Sequence, residues 1–215
     1  TKSSDNMDDI VEPLLKVASL PELRAAVAHT DSAFTLPQVK RLQKHAFALA
    51  QEPEELRLGI IHTYTSDLLT PWLEFTAALQ GCTVETYHAP YGLAMQEADP
   101  ESGLLQHAPD ITVFMLQRED LHPALKEPVV SFPQAEQRKL LDHTADRVIQ
   151  ILGQFRTQEV GQMILTLLPA LSGPALGQYD RQSERSEVAW WARLKSAVAG
   201  RIRQELSATL FLDLD

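Results

Sequence analysis

Hydrophobic positions change their spacing near Leu56, from helix-like before it to a mixture of short apolar runs and amphipathic stretches after it. Ser19-Leu-Pro-Glu22 and Thr35-Leu-Pro-Gln38 both have the form of a capping box. In a capping box a hydroxyl satisfies the first free N–H groups, and Glu or Gln three positions on reaches back. Proline in the opening turn costs nothing there, since its missing N–H would have had no partner. Behind the second box, Val39, Leu42, Ala46, Leu49 and Ala50 recur at helical spacing. Residues 1–52 therefore read as a helical extension packed against the remainder of the chain.

From Leu56 the pattern alternates. Leu56–Ile61 is a short apolar run, and Ser66–Gln80 is a helix-length amphipathic stretch that Gly81 ends. Thr83–Tyr87 alternates like a strand, and Ile111–Leu116 is a continuous apolar run of the kind a strand buried on both faces carries. Gln134–Phe155 reads as a long helix, Gln162–Leu168 as a strand, Glu184–Leu206 as a helix and Thr209–Leu212 as a last strand. Strand and helix in alternation predict an α/β fold over 53–215, a parallel sheet between helices in three α/β/α layers. There is no internal repeat and no linker-length low-complexity tract. Ligands of such sheets sit beyond the carboxyl ends of the strands. The segments to search are thus His62–Ser66, Tyr87–Glu97, Gln117–His122, Pro169–Asp180 and the residues after Leu212.

Composition narrows the function. The 215 residues, 44% hydrophobic, suit one domain, alone or with a helical extension. Nineteen Lys and Arg against 29 Asp and Glu leave a charge of −10, which argues against broad nucleic-acid binding. No window approaches the roughly 18–20 apolar residues of a membrane span. Thr1–Asp9 is polar and acidic, unlike a secretory leader. Cys82 is alone, so neither an internal disulfide nor a cysteine-based zinc site can form. The expectation is a soluble, cytoplasmic protein.

Several segments carry candidate chemistry. His62-Thr-Tyr-Thr-Ser-Asp67 lies where the first strand turns into a helix; its hydroxyls can cap that helix or hold an anion at its N-terminus. His62 titrates in the range of a general base, although a histidine at a strand end also serves as a structural hydrogen-bonder. In Tyr87–Glu97, Pro90 and Gly92 favour a sharp turn, Gly92 allows close backbone approach, and His88 and Tyr91 are candidates to line a pocket. An ordinary surface loop explains that composition equally well. Gln117-Arg-Glu-Asp120 can bind a polar ligand or simply solvate a strand end.

A hydrolytic triad lacks its usual signature: Ser66, Ser102 and Ser172 occur without G-x-S-x-G. Seven histidines are scattered without H-x-H or H-x-x-x-H spacing, so no metal site is expected in this chain. Neither glycine-rich phosphate loop is present. Of the adjacent Trp190 and Trp191, helical spacing sends one into the core and leaves the other to face a neighbouring domain.

Leu58–Leu69, Tyr87–Asp110, Ile111–Leu121 and the closing Leu210–Asp215, in that order and spacing, resemble the N-terminal region of FkbH-like proteins. The resemblance spans nearly the whole chain, helical prefix included. It implies a flavodoxin-like domain similar to SGNH hydrolases, followed in such proteins by a phosphatase-like domain of the haloacid dehalogenase superfamily. Those proteins take a glyceryl unit from 1,3-bisphosphoglycerate in polyketide biosynthesis, remove phosphate and load the unit onto the phosphopantetheine thiol of an acyl carrier protein. The phosphatase-like half carries that chemistry, with an Asp-x-Asp-x-Thr block and Mg²⁺. Asp213-Leu-Asp215 matches the opening of that block but fits the final strand of the N-terminal domain better. On this resemblance the chain stops before the phosphatase-like domain and is truncated at its C-terminal end.

Carried over residue by residue, the Gly-Asp-Ser block of SGNH hydrolases falls on His62, Thr63 and Tyr64. The nucleophile position would hold a phenol, a poor acyl acceptor with a pKa near ~10. Thr65 or Ser66 could replace it only by shifting off the corner. Gly92 is the candidate oxyanion donor, Gln117–Asp120 does not match the family's Asn-Asp position, and the terminal Asp-x-x-His block would lie beyond Asp215. The expectation is a non-catalytic domain that binds the carrier protein or packs on the phosphatase-like half. Its binding candidates are His62, Thr63, Tyr64, Thr65, Tyr91, Gly92 and Gln117, and its docking patch Arg138, Lys139, Arg193, Lys195, Arg201 and Arg203. One alternative is an active esterase or acyltransferase using Thr65 or Ser66, with His62 or His88 as base. Another is a purely structural interaction module.

Overall fold

Among the described residues, five strands form the central sheet of the computed structural model: β1 (Glu54–His62), β2 (Cys82–His88), β3 (Ile111–Leu116), β4 (Gln162–Leu167) and β5 (Leu210–Leu212). Their order is β2-β1-β3-β4-β5, the flavodoxin-like order. Leu58 pairs with Ile111 and His62 with Met115; Ile111 pairs with Gln162 and Leu116 with Leu167; Ile164 pairs with Leu210, all in parallel. The helices are α1 (Val11–Leu14), α2 (Leu20–Ala28), α3 (Leu36–Leu49), α4 (Thr70–Leu79), α5 (Gly103–His107), α6 (Arg118–Leu121), α7 (Gln134–Phe155) and α8 (Glu187–Glu205). The fold is three-layer α/β/α, as the alternation of elements requires. The structure describes residues 10–50, 52–63, 65–167 and 173–213, apart from the side chains of Glu119 and Asp120. Expectations for Thr1–Asp9, Tyr64, Pro169–Ser172 and Leu214–Asp215 lie outside the described residues.

The chain folds as two compact units, Thr1–Arg57 with Ser66–Thr86, and Leu58–Thr65 with Tyr87–Asp215. In the first, Val11, Leu23, Val39, Leu42 and Ala46 are wholly buried in one cluster with Phe75, Ala78 and Leu79 of α4. The second capping box forms: the Thr35 N–H donates to Gln38 Oε1 at 2.8 Å and the Thr35 hydroxyl to the same oxygen at 3.0 Å. Ser19 occupies the equivalent position before α2, but its hydroxyl makes no capping bond. The stretch from Ser66 is not one helix; a 3₁₀ turn covers Asp67–Leu69, and α4 begins at Thr70. Pro71 sets that start, because its missing N–H is tolerated only in the first turn. Gly81 follows at φ +79°, ending the helical segment as expected.

In the second unit Ile61, Phe114, Leu116, Met163, Leu165 and Leu167 pack with Val148, Leu152 and Phe155 of α7 and Trp190, Leu194 and Val198 of α8. Phe114 meets Phe155 edge to face at 5.0 Å, a geometry worth ~0.5–1.5 kcal/mol beyond the area it buries. The expectation that β3 is buried on both faces needs correction. Thr112, Phe114 and Leu116 are buried, whereas Ile111, Val113 and Met115 are only half-buried, because α7 and α8 contribute to the same face. Trp190 is inside, its Nε1–H donating to the Gln137 carbonyl at 2.9 Å. Trp191 does not turn outward; it is half-buried against the same core.

One glycine is fixed by its surroundings. Gly161, at φ +62°, leads into β4, and a Cβ there would lie 2.0 Å from the Asp110 carbonyl oxygen. Gly161→Ala is expected to lower unfolding free energy by more than about 2 kcal/mol in urea titrations, through strain and clash together. Gly153→Ala, in α7 with nothing within 4 Å of the new methyl, should instead be neutral or stabilise by about 0.5–1 kcal/mol.

Candidate functional site

The exits of β1 and β3 are joined by Thr63. Its N–H donates to the Met115 carbonyl at 3.3 Å, and its Oγ1 accepts from the Gln117 N–H at 3.0 Å, at the N-cap of α6. Two expected residues, Thr63 and Gln117, are thereby in direct contact. His62 is buried, and its ring stands edge-on to that of His88 with centroids 6.1 Å apart. Thr65 is exposed, whereas Ser66, in the first unit, is wholly buried. A hydroxyl with no accessible surface is not presented to an ester.

The loop after β2 is held by a buried carboxylate. Glu97 accepts from the Tyr87 hydroxyl at 3.2 Å and from the Leu104 N–H at 2.9 Å, while the Ser102 hydroxyl donates to the Glu97 carbonyl at 2.8 Å. Burial, with the adjacent Glu97 charge and hydrogen bond, pushes the Tyr87 phenol above its ordinary value. This anchor presents the turn at Pro90–Leu93, with Gly92 at φ +72° and Tyr91 exposed.

Between that turn, the strand exits and α7 lies a cleft of about 180 Å³. Thr63, Tyr91 and Arg147 supply its polar side chains, Gly92 part of its rim, and Ala94, Met95, Leu116, Leu121 and Ile151 its apolar wall. Three of the expected residues, Thr63, Tyr91 and Gly92, meet here; His62 and His88 are not among its lining residues. Arg147 has no signal in the sequence, because it sits in an amphipathic helix where a half-buried arginine looks like solvated surface. Among the described residues no group of three or more His, Cys, Asp or Glu could hold a metal ion.

A second network fixes α8. The Asp180 carboxylate accepts from the Ser186 hydroxyl at 2.6 Å and from the N–H groups of Glu187 and Val188 at 2.8 and 3.1 Å. Ser186 Oγ accepts from the Ala189 N–H at 3.1 Å, so two side chains satisfy the helix N-terminus. Glu187 accepts from the N–H groups of Val129 and Ala175, with Arg118 at 4.0 Å. Arg118, from the charged cluster after β3, thus faces a buried carboxylate of this network. Asp180 and Glu187 were not expected from sequence; the only signal was Ser186 with an acid after it, ahead of an apolar run.

Burial opposes ionisation of Asp180, but the Ser186 hydroxyl and the two N–H donors outweigh it and hold its carboxyl below the usual value. A depressed carboxyl stabilises the fold above its unfolded-state pKa, near ~4, and loses that contribution as pH falls through the lower folded value. Asp180→Asn should therefore cost about 1–3 kcal/mol at pH 7. The gap to wild type should narrow as urea titrations are repeated from about pH 5 down to about pH 2.5.

No family model matches the chain, and no curated protein matches it. Among solved structures, it resembles the N-terminal part of the protein BF1531 from Bacteroides fragilis, a crystal structure containing a phosphatase domain and complexed with Mg. The TM-score is 0.61 at 18% identity, over 85% of this chain and 46% of that one. The chain thus spans about half the length of this neighbour. The chain is thus a three-layer α/β/α protein whose fold is shared with about half of that crystallised chain.

Proposed function

We propose that the chain is the SGNH-like N-terminal domain of an FkbH-like protein. In this reading it is non-catalytic, works in the cytoplasm, and binds the acyl carrier protein or the phosphatase-like half during glyceryl transfer. The observation that carries the reading is the fold that 85% of the chain shares with about half of a crystallised chain containing a phosphatase domain. The sequence blocks from Leu58 to Asp110 support the finer assignment, as does the wholly buried Ser66. No helix among the described residues is long and apolar enough to cross a membrane.

The structure trims the basic patch expected to meet an acidic carrier. Lys195 is bound to Asp213 at 2.8 Å, and Arg201 to Asp146 and Glu205. Lys139 lines a separate groove with His122 and His143. Arg203 is exposed near the end of α8, and Arg138 and Arg193, both exposed, stand together on a cleft of about 270 Å³ formed by α7 and α8, over Trp190. In a chain of charge −10, an acidic partner needs such a local cation pair to offset general repulsion.

Calorimetric titration of the chain with its carrier protein, alone and joined to the phosphatase-like half, tests the reading. Binding is expected in at least one form. Reversal of both cations, Arg138→Glu with Arg193→Glu, should weaken it by about tenfold or more, a loss of about 1.4 kcal/mol. Absence of binding in both forms would sink the carrier-docking role.

A further inference from the structure

The cleft at the exits of β1 and β3 has an unbalanced set of polar groups. Arg147 brings a guanidinium whose Nη1 donates to Gln150 Oε1 at 3.2 Å, and it makes no ion pair with a described residue. Thr63 Oγ1 already accepts from the Gln117 N–H, so its own proton remains to be donated. The Tyr91 hydroxyl is a third donor. Among the described side chains no carboxylate lines the cleft. Arg147 and Ile151, four residues apart on α7, set the cation beside apolar wall.

Donors without acceptors suit a ligand that brings the negative oxygen itself, since charge-assisted bonds to a guanidinium are the strong ones. The volume, about 180 Å³, is below the range of drug-sized ligands. A single guanidinium balances a single charge. We propose that this cleft binds a short-chain organic carboxylate, its charged end on Arg147 and Thr63 and its alkyl body on Met95, Leu121 and Ile151. The inference is independent of carrier docking, which uses Arg138 and Arg193 at a different cleft.

The test is a two-dimensional amide NMR titration of the 215-residue chain with butanoate, butanamide and inorganic phosphate. Butanoate should shift the amides of Thr63, Gly92 and Gln117, and butanamide should bind at least about tenfold more weakly. Arg147→Gln should bring butanoate down to the level of butanamide and leave butanamide itself unchanged. Should Arg147→Gln fail to fold, Arg147→Lys, which keeps the charge but loses the fork, should weaken butanoate several-fold. Equal binding of acid and amide, an unaffected folded Arg147 variant, or no saturable shift at these amides would overturn the proposal. Inorganic phosphate binding more tightly than butanoate would overturn the carboxylate assignment.

Discussion

The parallel register of β1 on β3, closed at its carboxyl end by Thr63, sets the candidate site. Leu58 lies opposite Ile111 and His62 opposite Met115, so the chain leaves both strands at one level. Thr63 then binds the Met115 carbonyl and the Gln117 N–H, which fixes where α6 starts and where the cleft opens. A slip of one residue would exchange the two faces of the strand and withdraw Ile61 from the core shared with Phe114. The cleft is thus a consequence of packing, because the alternation that buries Ile61 and Phe114 also places Thr63 at the exit.

Three buried carboxylates play a complementary part. Asp180, Glu97 and Glu187 are removed from water, which would be costly if they were unpaired. Each is instead surrounded by donors: Ser186 and two amides for Asp180, Tyr87 and Leu104 for Glu97, Val129 and Ala175 for Glu187. Segments without regular structure are held in this way, so the turn bearing Tyr91 and Gly92 is attached to a defined frame. Charge is used differently at the surface, where Arg201 bridges Asp146 and Glu205.

The periodic signals were readable because they reflect burial of one face at a time. Gln134–Phe155 is a helix over the expected range, and the strands at 111–116 and 162–167 fall where apolar runs stand. Thr63, Tyr91 and Gly92 were accessible through the topology of parallel sheets, which collects ligand-facing residues at strand exits. Arg147 was not accessible in that way, since it reaches the cleft from the side of α7. The half-burial of Val113 and Met115 was equally hidden, because an apolar run does not record how many layers cover it.

Local chemistry therefore determined the alternation of strands and helices, the capping box at Thr35 and the helix end at Gly81, each set by neighbours a few positions away. Distant pairings were decided only in three dimensions. Glu187 finds Val129 and Arg118, and Arg147 reaches the wall beside Thr63 and Tyr91. Such contacts depend on which residues the crossovers bring together, and no spacing along the chain encodes that. Ser66 shows the same distinction: its sequence position offers a hydroxyl, and the fold buries it.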